Sequence, residues 1–184
     1  LGVSLAGVTE IADGDFSRPA GRPGTDVFDL VGQPERPVVT LKQVHGTFVQ
    51  VVGGDCGGEA GEGDGLASRD PKLAIAVRVA DCVPVFLYDV ENAAVAAVHA
   101  GRKGTFDRIS LRAVGVMEQR FNTVPDALYA VVGPSAGPCC YEVSEEIAGD
   151  FRDAGYPVSG RNLDLWRANA QQLELAGVSP SRVH

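Results

Sequence analysis

Three apolar runs follow one another between residues 73 and 99: Leu73–Ala80, Val83–Tyr88 and Ala93–His99. None alternates apolar with polar residues. Strands covered on both faces read this way, whereas a strand with one wet face alternates. A chain that must cover neighbouring strands on two sides is driven toward a layered fold of sheet and helix. Helices able to do the covering are present. Over 106–121, Ile109, Ala113, Met117 and Phe121 recur every four residues as one apolar stripe, with Arg108, Arg112, Glu118 and Arg120 elsewhere. Ser144 can cap a helix running through Ala154, with Glu145 and Glu146 at its positive end and Gly155 as its stop. Leu163–Ala176 reads as a last helix, closed by Gly177. Two earlier strands, Val38–Leu41 and Phe48–Val52, flank Gln43-Val44-His45-Gly46, and Leu128–Val132 is a strand ended by Gly133-Pro134. This order implies an α/β or α+β class with a mixed sheet.

Two stretches interrupt the pattern. The first 36 residues are rich in Gly, Pro, Asp and Arg and read as irregular, with one short strand at most. Residues 53–65, GGDCGGEAGEGDG, hold seven Gly and four acids, which predicts a flexible Gly-rich surface loop. The 184 residues fit a single domain, 1–184. A domain of this size buries roughly 70% of its unfolded surface and folds without disulfides or a structural metal.

Charge narrows the function classes. Sixteen Lys+Arg against 24 Asp+Glu leave a net charge of −8, which disfavours a non-specific nucleic-acid binder and an amphipathic membrane-surface protein. The apolar stretches break at Arg78, Asp81, Asp89 or His99, too soon for a membrane span. No leader pattern is visible, and four Cys, two of them adjacent, make no disulfide framework. Cytoplasm is the simplest compartment. The first residue is Leu, so residues before it are expected.

Several motifs carry candidate chemistry. Gly133-Pro134-Ser135-Ala136-Gly137 matches G-x-S-x-G, but Pro138 and a Cys pair follow where a nucleophile elbow needs an immediate helix. A tight turn shaping a site wall is the better reading. There is no P-loop, and the glycine loop has no G-x-G-x-x-G. Apart from His184 the chain has two histidines, His45 and His99, each after an apolar strand and before small residues. Cys82 lies at the junction of two apolar runs. One thiolate and two imidazoles suit Zn²⁺, and three protein ligands leave a fourth position for water or substrate. The same atoms could form a Cys82 nucleophile activated by His45 or His99, and spacing does not separate the two readings. A buried thiol and two hydrogen-bonded imidazoles are the plain alternative. Lys42, Arg102 and Lys103 lie near these positions and could hold an anion such as phosphate, or be solvated loop charge. Cys139-Cys140 could oxidise or bind a soft metal, or be two small buried side chains. Cys56 reads as exposed and incidental.

Five blocks occur in order: Leu41-Lys42-Gln43-Val44-His45-Gly46, Gly63-Asp64-Gly65-Leu66, Ala80-Asp81-Cys82-Val83-Pro84-Val85, Ala97-Val98-His99-Ala100-Gly101 and Gly133–Val143 (GPSAGPCCYEV). Together they resemble the YfiH-like family, long labelled polyphenol oxidase or laccase-domain proteins, over about residues 37–177. The resemblance implies a single-domain α/β/α layered sandwich of the cytotoxic-necrotising-factor type. It implies zinc on His45, Cys82 and His99, and purine nucleoside phosphorolysis of adenosine, inosine and methylthioadenosine, with adenosine deamination alongside. The chain departs from the family pattern in having Arg102-Lys103-Gly104 where Trp-Arg-Gly is common, and Val79 where Thr is common. The family's Thr-Thr-Arg near the start and its later Cys-Thr and Phe-Ser-His-Arg-Arg-like runs are missing, so the domain is expected to be incomplete at both ends.

For phosphorolysis the sequence offers the His45–Cys82–His99 trio, anion contacts from Arg102, Lys103 or Lys42, and Asp81 or Glu142 as proton carriers. The partners are then a small-molecule nucleoside and phosphate. Copper is a weaker candidate than zinc. A multicopper laccase needs a blue-copper site and a His-rich cluster, and this chain has three His and one Met. A metal-free Cys82 hydrolase and a non-catalytic binding module complete the alternatives.

Overall fold

The structure, a computed structural model, describes residues 36–184. The irregular stretch expected over the first 36 residues therefore lies, but for Arg36, outside the described residues. The element order is β1 (Val38–Lys42), β2 (Val49–Val51), β3 (Gly58–Glu62), β4 (Gly65–Ser68), β5 (Ala74–Ile75), β6 (Val83–Asp89) and β7 (Ala94–Ala100). Helices α1 (Arg102–Phe106) and α2 (Ile109–Phe121) follow, then β8 (Leu128–Val132), α3 (Glu145–Asp153), a hairpin of β9 (Val158–Ser159) and β10 (Asn162–Leu163), and α4 (Leu165–Leu175).

Five strands form the main sheet in the order β2-β4-β7-β6-β8. The β2–β4 pair is parallel and the other three are antiparallel, the mixed sheet expected. Cross-strand pairing decides which side chains share a face. Val83, Val85 and Leu87 lie opposite Ala100, Val98 and Ala96, and all six join Ile109, Ala113, Met117 and Phe121 in the larger core. The stripe at spacing four is thus the buried face of α2, and each large side chain taken from water there is worth about 1.5–3 kcal/mol. On the opposite face Leu66 packs with Val39, Leu41, Val52 and Leu73 in a second core. That core sits against a three-stranded parallel sheet, β3-β1-β5. The layer across from the helices is a small sheet, and it covers the β4 side only. On β8, Tyr129 and Val131 are 43% and 41% exposed, so this strand does alternate.

Four expectations change. Residues 53–65 are not a loop throughout, because Gly58–Glu62 form edge strand β3 and Gly65 opens the buried strand β4. Exposed glycines are tolerated at an edge that pairs through backbone alone. The run Leu73–Ala80 keeps only two residues, Ala74–Ile75, in a strand. The helix over 106–121 starts at Ile109, since Arg108 is left-handed at φ 66° and separates it from the five-residue α1. Leu163 belongs to β10, and the last helix begins after Asp164, whose side chain accepts from the Arg167 N–H. The Ser144 cap is as expected, accepting from the Ile147 N–H, and Gly155 stops that helix at φ +81°.

Candidate metal centre

Three separate segments deliver the site. His45 lies in the turn after β1, Cys82 immediately before β6, and His99 near the end of β7. Their ligand atoms all lie within 4.8 Å of one another, and Cys82 Sγ stands 4.0 Å from His45 Nε2. The two imidazoles meet edge to face with centroids 4.8 Å apart. Among the described residues this is the one cluster of three or more His, Cys, Asp or Glu able to converge on an ion.

Asp64 organises both histidines from beneath. It is wholly buried, and its carboxylate accepts Nδ1–H of His99 at 2.8 Å. The same carboxylate accepts the backbone N–H groups of Val44 at 3.3 Å, His45 at 2.9 Å and Gly46 at 2.6 Å. These bonds hold His45 in the left-handed region at φ 57°, a conformation costly for a residue with a Cβ. With Nδ1 committed, His99 presents Nε2 to the trio, the arrangement by which carboxylates orient metal-binding imidazoles. Two glycines make room. A Cβ on Gly101 would come within 3.0 Å of Cys82 Sγ and 3.1 Å of His45 Cδ2, and one on Gly104 within 3.0 Å of the Gly46 carbonyl.

The protonation states suit a ligand set. Burial pushes the His99 imidazole below its usual pKa although Asp64 pulls the other way, so the ring is neutral at pH 7. Burial raises the Cys82 thiol, and the charges of Asp81 and Asp64 raise it further. Without a cation beside it Cys82 keeps its proton, which is the wrong poise for a free nucleophile. A divalent cation would reverse that balance. The donors thus fit Zn²⁺ in type, number and convergence.

The remaining candidates divide. Tyr141, in the cluster Cys139-Cys140-Tyr141-Glu142, carries no role of its own in the sequence. Burial pushes its phenol above the usual range; the charge of Arg102 pulls the other way, and those of Cys82 and Asp81 add to the rise. Its electrostatic neighbours are thus Arg102, Asp81 and Cys82, and its place directly after the Cys pair in GPSAGPCCYEV was the available signal. The turn bearing it is tied to the site by Ala136 N–H donating to the Asp81 carbonyl at 3.1 Å. Lys103 is exposed on α1. Lys42 has its ammonium on Glu62 at 2.8 Å, and Glu142 is paired with Arg161. Ser135 accepts a hydrogen bond from Trp166 Nε1 at 2.6 Å, and no helix follows it until Glu145, so it is no nucleophile elbow.

Fold and site together define a mixed α/β protein with a His–Cys–His cluster where the main sheet meets the three-stranded one. The chain belongs to the family described as multi-copper polyphenol oxidoreductase laccase, whose profile matches residues 24–184. It is 39% identical over 172 residues to a protein of Deinococcus radiodurans named purine nucleoside phosphorylase, covering 89% of this chain and 66% of that one. A Clostridium acetobutylicum protein of the same name is 38% identical over 144 residues, covering 76% of this chain and 60% of that one. Among solved structures it resembles YlmD from Geobacillus stearothermophilus, with TM-score 0.72, 29% identity and coverage of 86% of this chain and 65% of that one. Bacillus licheniformis YfiH gives TM-score 0.71 and 28% identity, over 85% of this chain and 66% of that one. The chain thus spans about half to two thirds of the length of the relatives it matches.

Proposed function

We propose that this chain carries the metal centre of a zinc-dependent purine nucleoside phosphorylase acting on adenosine, inosine and methylthioadenosine, with adenosine deamination at the same site. The observation that carries the reading is the convergence of His45, Cys82 and His99 within 4.8 Å around a carboxylate-oriented imidazole. The names of the relatives supply the reaction class. Bound zinc would supply Lewis-acid polarisation of an oxygen at the open position. The chain's own residues would do the rest. His45, Cys82 and His99 hold the ion. Arg102, with Lys103 beside it, draws the phosphate anion toward the trio. Asp81, exposed next to Cys82, carries the proton for the departing base. Lys42 has a smaller part than the sequence implied, being engaged by Glu62.

The family's description favours a second reading, a copper-dependent polyphenol oxidase. The three His of these 184 residues are too few to build, within this chain alone, a blue-copper site plus a His-rich oxygen-reducing cluster. Elemental analysis of the purified protein, paired with phosphate-dependent release of base from inosine and adenosine, decides between them. Stoichiometric zinc and base release abolished by Cys82→Ala are expected. Copper with a blue absorption band, or full turnover in that variant, would overturn the phosphorylase reading.

A further inference from the structure

Cys139 and Cys140 stand outside the cluster just described, and the proposed function makes no use of them. Both are free and exposed, against the strong tendency of unpaired Cys to be buried. The reading of two small core residues is therefore out. Their turn is braced. Cys140 N–H and Tyr141 N–H both donate to the Gly137 carbonyl, at 3.1 and 3.0 Å, and Asn162 Nδ2 donates to the Pro138 carbonyl at 2.9 Å. The Cys140 thiol leans on the Gly137 carbonyl at 3.6 Å. Two exposed, unpaired thiols on adjacent residues thus stand on one fixed turn. Neighbouring Cα atoms across a trans peptide are about 3.8 Å apart, shorter than the roughly 4.4–6.8 Å usual for a disulfide. Bonding to each other strains the pair. Bonding together to one larger, softer atom does not.

We propose that Cys139 and Cys140 form a bidentate site for a thiophilic centre, of which trivalent arsenic is the probe. With an arsenoxide the step is a condensation. Two As–S bonds form as two S–H bonds and the As–O bonds break, and the oxygen leaves with both protons as water. The arsenic keeps its oxidation state, so no oxidant or reductant is needed. The site is separate from the trio, whose cluster includes neither residue.

Phenylarsine oxide, titrated against the purified full chain and read by intact-protein mass spectrometry, tests this. One arsenic per chain is expected, removable by ethanedithiol. Cys139→Ser and Cys140→Ser should each weaken capture by about 100-fold, since the second bond is then no longer intramolecular. Cys56→Ser should leave it unchanged. No adduct on the wild-type chain would overturn the proposal. So would an adduct kept by Cys139→Ser but lost from Cys82→Ser, which would place the dithiol at the trio.

Discussion

Asp64 is the residue on which the centre turns, and it was the hardest to see in the sequence. His45, Cys82 and His99 were legible because imidazoles and thiols at strand ends are scarce and chemically distinctive. One acid among the four in a glycine-rich stretch is neither. The clue lay in its flanks: a Cβ on Gly63 would come within 3.1 Å of Phe48, and one on Gly65 within 2.8 Å of Val49. Such glycines mark a backbone pressed against its neighbours, not a free loop. Asp64→Asn keeps the shape but leaves an amide where four donors need an acceptor. Metal affinity should fall by about 10–100-fold, the range for partners that orient a ligand. Competition against a chromophoric chelator reads this without reference to turnover, and unchanged affinity would mean that the carboxylate only braces the turn.

The helices were legible to within a few residues, because a stripe at spacing four and a Ser or Asp cap are local signals. The five-residue α1 has no room for a period, and β3 is written in residues that strands avoid, so neither could be read. The β6–β7 connection shows what local chemistry does hold such a sheet together. Asp89, wholly buried at the end of β6, accepts the N–H groups of Glu91 and Asn92 at 3.0 Å each and the Asn92 side-chain amide at 2.8 Å. Burial pushes its carboxyl up, but the Thr123 side chain, then Asn92 and the Glu91 N–H, outweigh burial and hold it below the ordinary range. A carboxyl lowered in the folded chain stabilises fully above its unfolded value, about 3.9, and that contribution drains away as pH falls through the folded value. Asp89→Ala should therefore cost about 1–3 kcal/mol in urea unfolding at pH 7 and progressively less below about pH 4. In the same turn Ala93 sits left-handed at φ 51°. Ala93→Gly should raise stability by about 0.5–1 kcal/mol in the same assay, because the strain of a Cβ in that region exceeds the added entropy of the unfolded chain.

At the scale of the molecule, class and mixed sheet were readable, whereas strand order was not. The three apolar runs implied cover on both faces everywhere. In the fold, cover is complete on the helical face and extends over only part of the other, because pairing between distant segments leaves no local trace. His45 belongs to the turn after β1 in the small sheet, and Cys82 and His99 to the main sheet. An ion held by all three would join the two sheets, as the bonds from Val44, His45 and Gly46 to Asp64 already begin to do. Binding to the folded chain alone stabilises by about 2.7 kcal/mol at 100 times the dissociation constant. For a domain of this size that is a rise in Tm of about 5–10 °C. Zinc added to chelator-treated protein should produce such a shift, and Cys82→Ala should abolish it. Hydrogen exchange should place the added protection in β1, the 43–46 turn and the start of β6. A shift spread evenly over α2 and α4 would mean that the ion reports on global folding and does not fasten the sheets to each other.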